Sequence, residues 1–113
     1  MNPAASMAAL AVDSRVVRVC GASDVPVGEG RAATVGGRRI AVFNTGIGWY
    51  ALDDACPHRA GPLSDGILAD SCVSCPLHER RFDLATGECL DGDERVRAHR
   101  VLVEGDDVLV ELG

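Results

Sequence analysis

The chain has 113 residues, 47% of them hydrophobic and 25% charged, a size and balance that suit one soluble globular domain and exclude a disordered or membrane-embedded chain. All 11 basic residues are arginine, and against 17 acids they leave a formal charge of -6. A nucleic-acid-binding surface, which needs basic groups against phosphate, is therefore disfavoured.

Residues 1–14 are rich in alanine and carry no Lys or Arg ahead of their short apolar run. They read as a flexible N-terminal tail rather than a secretory signal. Five cysteines in such a chain point to a reducing compartment, with the cytoplasm as the expected location. Beyond the tail, glycines punctuate short valine-rich runs, the pattern of an all-β domain. Val16–Cys20 predicts a first strand. Arg31–Val35 and Arg39–Asn44 flank Gly36-Gly37, a pair suited to a hairpin that needs positive φ. Trp49–Asp53 predicts the next strand. Val96–Glu104 and Val108–Glu111, separated by Gly105-Asp106-Asp107, predict a terminal hairpin. The strands belong to one domain over 15–113 and bracket an irregular insertion over about 54–90. A segment that long without a core of its own calls for a metal or disulfides to hold it.

That insertion carries Cys56-Pro57-His58 and Cys75-Pro76-Leu77-His78, two bends that each offer one thiolate and one imidazole. Four such donors close a coordination site and leave no open position for a substrate, which points to electron transfer rather than Lewis-acid chemistry. A common zinc finger puts both cysteines in one knuckle and both histidines in the other. One of each per bend favours iron and sulfide, because a centre with two cysteines on one iron and two histidines on the other needs both bends to reach both irons.

The stretches from Cys56 to Gly66 (CPHRAGPLSDG) and from Cys75 to Glu88 (CPLHERRFDLATGE) resemble the two cluster loops of Rieske 2Fe-2S proteins. Asp24-Val25-Pro26 and Gly28-Glu29-Gly30 resemble the corresponding parts of soluble Rieske ferredoxins and of small subunits of NAD(P)H-dependent nitrite reductase. The resemblance covers about residues 15 to 112. It implies the Rieske fold, an antiparallel β-sandwich base with a small cluster-binding subdomain, and one 2Fe-2S cluster per chain. It further implies Cys56 and Cys75 on the buried iron and His58 and His78 on the outer iron near solvent.

Two ferric ions, two sulfides and two thiolates sum to zero charge, and reduction leaves one negative charge. Outward imidazoles that take up a proton with that charge predict a reduction potential that varies with pH. Respiratory Rieske proteins carry a serine and a tyrosine hydroxyl where this chain has Arg80 and Phe82, and a bracing cysteine pair where it has Gly61 and Leu77. Fewer hydrogen bonds to the sulfurs predict a potential at the lower end of the family's range. Glu79 stands where the family often has glycine, and no proline-rich third loop follows Cys89.

The remaining candidates have plainer readings. His99 is expected to be an ordinary half-exposed histidine on an alternating strand. Cys20, Cys72 and Cys89 are expected to be small buried residues. Arg59, Arg80 and Arg81 read either as a docking surface for an acidic redox partner or as solvated arginines paired with Glu79 or Asp65. Trp49 and Tyr50 read as packing residues. The sequence carries no nucleotide or sirohaem site and no catalytic residue, so the chain reads as a redox component rather than a catalyst on its own. The first expectation is the small subunit of an assimilatory NAD(P)H-dependent nitrite reductase, partnered by its large subunit. The alternative is a free ferredoxin passing electrons from a flavin reductase to a ring-hydroxylating dioxygenase. A third reading, from a different class, is a non-redox interaction module stabilised by its metal.

Overall fold

The computed structural model describes residues 16–56, 61–69, 71–77 and 80–112. The proposed tail 1–14, together with His58, Arg59, His78 and Glu79, lies outside the described residues. Among the described residues nine strands run in chain order: β1 Val16–Gly21, β2 Glu29–Val35, β3 Arg38–Asn44, β4 Trp49–Asp53, β5 Ile67–Leu68, β6 Cys72–Ser74, β7 Arg81–Asp83, β8 Ala98–Glu104 and β9 Asp107–Glu111. All strand pairs are antiparallel. Among the described residues no helix is long and apolar enough to cross a membrane.

Six strands form one sheet in the order β1-β9-β8-β4-β3-β2, and β5-β6-β7 form a second, smaller sheet. The β2–β3 hairpin closes on Gly36 and Gly37, at φ of 57° and 81°, the paired positive values that a two-residue turn matching the strand twist requires. The terminal hairpin is tighter than its sequence suggests. Glu104 pairs with Asp107, so Asp107 belongs to β9, and Gly105 supplies a positive φ in a two-residue turn. Val96 and Arg97 precede β8 rather than starting it.

Strands β4 and β8 share only the pairs Ala51–His99 and Leu52–Ala98. At that corner the large sheet turns over on itself. Val108 and Val110 of β9 then pack against Val35, Ile40, Val42 and Ala51, which makes the two halves a sandwich around one apolar core. Alternation sends the next residues the other way: Ala41, Phe43 and Leu52 point out of the sandwich. There they meet Leu63, Val73, Phe82, Leu84 and Val96 from the middle of the chain in a second core. Ile40 to Phe43 are all fully buried because β3 is covered on both faces. Each such large apolar side chain contributes about 1.5–3 kcal/mol by leaving water.

The middle of the chain is less irregular than its composition suggests. The small sheet forms because Val73 and Phe82 face each other across β6 and β7 and are fully buried. Strands of two or three residues leave too short a pattern for alternation to be read from sequence.

Candidate metal centre

Each ligand bend grows from a strand end and closes in the same way. Cys56 follows β4, and its N–H donates to the carbonyl of Gly61 at 2.9 Å. Cys75 follows β6, and its N–H donates to the carbonyl of Arg80 at 2.8 Å. In both cases the acceptor lies five residues ahead, so the two cysteines occupy equivalent corners of two similarly closed bends. In the sequence, positions 58 and 78 fall between the donor and the acceptor of these two bonds. The pairs Ala55–Pro62 and Ser74–Arg81 seal the two necks.

The bends meet side by side. A β-carbon placed on Gly61 would lie 3.2 Å from Cys75 Sγ and 2.8 Å from Leu77 Cγ. Cys56 and Cys75 belong to the same apolar core, at 1% and 4% exposure, and neither is in a disulfide. Two thiols buried in one core, on bends that touch where one bend carries a glycine, fit a sulfur-ligated iron centre set beneath the surface. Among the described residues no three His, Cys, Asp or Glu side chains gather as a metal site; two of the four expected donors, His58 and His78, lie outside them.

The first bend is tied to the base by Asp54, which sequence reasoning passed over. Its fully buried carboxylate accepts the N–H of Ser64 at 2.7 Å and pairs with Arg39 Nε. Ser64 is part of the short 3-10 turn Leu63–Asp65 that ends the bend. An acid two residues before a candidate ligand cysteine is the only signal the sequence offered for it.

Near the second bend, Arg80 Nη1 donates to the Asp91 carbonyl at 2.9 Å and pairs with Glu94 at 3.2 Å. The Arg81 guanidinium and backbone N–H both donate to Asp91. These two arginines therefore bind the segment after Cys89, not Asp65, because β7 lies beside that segment through the Phe82–Cys89 bridge. The Arg81 side chain and then its backbone N–H hold the exposed Asp91 carboxyl at about 2, well below its ordinary 3.8.

Two plainer expectations are revised and a third is met. His99 is buried, not half-exposed: β8 turns it inward at the corner, where its Nε2 lies 2.8 Å from Asp53 Oδ1. Asp53 also receives Arg38 at 3.2 Å. Of the three remaining cysteines, only Cys89 is buried; Cys20 and Cys72 are half-buried on short or edge strands. Burial still pushes the Cys20 thiol up from its ordinary range. Trp49 and Tyr50 pack on the two cores, Trp49 on the inner and Tyr50 on the outer.

A β-sandwich that carries two buried, unbridged cysteines on neighbouring bends of its outer face fits the class of iron–sulfur proteins. The match to known proteins makes the class specific: the family model for the Rieske-like [2Fe-2S] domain covers residues 15–111, and the chain belongs to that family. The ferredoxin component of the naphthalene 1,2-dioxygenase system of Pseudomonas aeruginosa is 34% identical over 91 residues, 79% of this chain and 88% of that protein. The solved ferredoxin of carbazole 1,9a-dioxygenase from Nocardioides aromaticivorans IC177 superposes with a TM-score of 0.79 at 33% identity, covering 87% of this chain and 98% of that one. A structure described as the small subunit of an NADPH nitrite reductase superposes with a TM-score of 0.75 at 29% identity, covering 84% and 96%. The protein is thus a Rieske protein whose cofactor is a 2Fe-2S cluster and whose work is electron transfer with redox partners.

Proposed function

We propose that this chain is a ferredoxin that carries one electron at a time from a flavin reductase to a ring-hydroxylating dioxygenase, working in the cytoplasm. The observation that carries the reading is the likeness to a dioxygenase ferredoxin component along 88% of that protein's length. It moves the preference away from the nitrite reductase subunit that the flanking sequence favoured. In this reading Cys56 and Cys75 hold the inner iron and His58 and His78 the outer one, within a cluster-binding section of about 54–90 set in a domain over 15–113. The cluster supplies a site that gains and loses a single electron. The chain's own residues bury the sulfur side and close both bends by backbone hydrogen bonds. The second reading, a nitrite reductase small subunit, draws on the superposition at 29% identity.

Two acceptors separate the readings. The purified, chemically reduced protein is mixed anaerobically with a ring-hydroxylating oxygenase or with the large sirohaem subunit of a nitrite reductase, and reoxidation is followed in the visible spectrum. Rapid reoxidation by the oxygenase alone supports the ferredoxin. Reoxidation by the sirohaem subunit alone overturns it in favour of the subunit. A colourless zinc-loaded preparation would overturn both and leave the interaction module.

A further inference from the structure

The first ligand bend begins and ends on a single residue. The Asp54 N–H donates to the Arg39 carbonyl at 3.0 Å, and the Asp54 carbonyl accepts the N–H of Leu63 at 2.7 Å. Its side chain repeats both links: Oδ1 accepts the Ser64 N–H at 2.7 Å, and Oδ2 accepts from Arg39 Nε. The carboxylate is fully buried, whereas the Arg39 side chain is 62% exposed. A buried carboxylate is retained only where charge-assisted hydrogen bonds replace its water, and both partners here belong to the frame of the bend rather than to its tip.

We propose that Asp54 is the positioning residue of the cluster site, a clamp that fixes the base of the Cys56 bend to β3 and so sets where Cys56 stands relative to Cys75. The second bend needs no such clamp, because β6 and β7 pair on either side of it through Ser74–Arg81, Val73–Phe82 and Cys72–Asp83. Among the described residues the first bend has one bridging pair, Ala55–Pro62, and it leads into a 3-10 turn that cannot continue a ladder. Asp54 takes over that role. Its carboxylate contacts Ser64 and Arg39, and Cys56 lies two residues along the same backbone. The inference rests on Cys56 being a ligand.

The test compares holoprotein of wild type, Asp54→Asn, Asp54→Ala, Arg39→Gln and Cys56→Ser. The readouts are iron and acid-labile sulfide per chain, the electron paramagnetic spectrum of the reduced form, the rate of iron release to a chelator, and thermal unfolding by circular dichroism. Asp54→Asn keeps an oxygen for the Ser64 N–H and is expected to retain the wild-type spectrum, with iron release only a few-fold faster by the order of a lost charge-assisted bond. Asp54→Ala is expected to release iron roughly 10–100-fold faster, the usual range for lost outer contacts at a metal site, with shifted spectral positions. Wild-type release and spectrum in Asp54→Ala, or equal damage in Asp54→Asn and Asp54→Ala, overturn the clamp. Should Asp54→Ala fail to fold, Arg39→Gln decides: faster iron release at unchanged melting upholds the clamp, and wild-type release overturns it. Iron bound by wild type and lost in Cys56→Ser upholds the ligand assignment separately, so a null result at Asp54 counts against the clamp alone.

Discussion

Gly61 of the first bend stands directly against Leu77 of the second: a β-carbon on Gly61 would lie 2.8 Å from Leu77 Cγ. These are the two positions where respiratory Rieske proteins carry their bracing cysteines. Gly61 does not use a positive φ, so a side chain there meets a neighbour but no backbone strain. The paired change Gly61→Cys with Leu77→Cys is therefore expected to form a disulfide, which requires β-carbons about 3.5–4.5 Å apart. Titrating thiols in the unfolded, non-reduced chain checks this; a full complement of thiols after oxidation would show that the bends do not meet as described.

The Arg81–Asp91 pair sets an acid limit on the segment beside the second bend. Asp91 titrates at about 2 in the folded protein against an ordinary 3.8. The folded value is the lower one, so the pair's contribution is present above about pH 4 and is lost as the pH falls toward about 2. Carboxyl titration by nuclear magnetic resonance is expected to find the Asp91 midpoint near 2. In Asp91→Asn that part of the acid dependence of stability is expected to vanish.

Two glycines with positive φ separate conformational strain from steric clash. At Gly37 (φ +81°) an added β-carbon meets nothing within 4 Å, whereas at Gly87 (φ +79°) it would lie 2.0 Å from the Val96 carbonyl oxygen. Gly37→Ala is expected to lose about 1–2 kcal/mol, the cost of a left-handed residue with a side chain. Gly87→Ala is expected to lose more, because the backbone of Val96 must also move. Urea unfolding of both variants gives the comparison, and equal losses would contradict the close approach at Gly87.

His99→Ala empties a buried position and removes the partner of Asp53 Oδ1. Arg38 remains to Asp53, which limits the damage, and a loss of about 1–3 kcal/mol is expected from the buried hydrogen bond. A change within about 0.5 kcal/mol, as for an ordinary surface site, would show that the corner does not depend on this contact.

The potential follows from what lines β7. Phe82 is fully buried and brings no hydroxyl to the outer core, and Arg80 is engaged by Asp91 and Glu94. With neither side chain supplying the hydroxyl bonds of the respiratory proteins, the midpoint is expected below about +100 mV within the family's span of roughly -150 to +300 mV. Protein-film voltammetry measures it directly.

The large sheet was legible because its strands are five to seven residues long and its hairpins sit on glycines; Gly36-Gly37 announces a turn by chemistry alone. The small sheet was not, since β5 to β7 offer two or three residues each, too few for a period. Cys56 and Cys75 stood out through their spacing and their histidine companions, and the fold buries both in one core. Asp54 and Asp91 were not, because their meaning depends on Ser64, Arg39 and Arg81, which lie ten or fifteen positions away and become neighbours only in the fold. His99 was misread for a related reason: alternation along β8 gives a face, but the corner between β4 and β8 decides what that face meets.

Strands β3 and β4 are sheathed twice, by Ile40, Val42 and Ala51 on the inner side and by Ala41, Phe43 and Leu52 on the outer. Only the outer coat includes Cys56 and Cys75. The inner shell is thus built without either cysteine of the proposed cluster site, and loss of iron is expected to loosen the outer layer before the inner one.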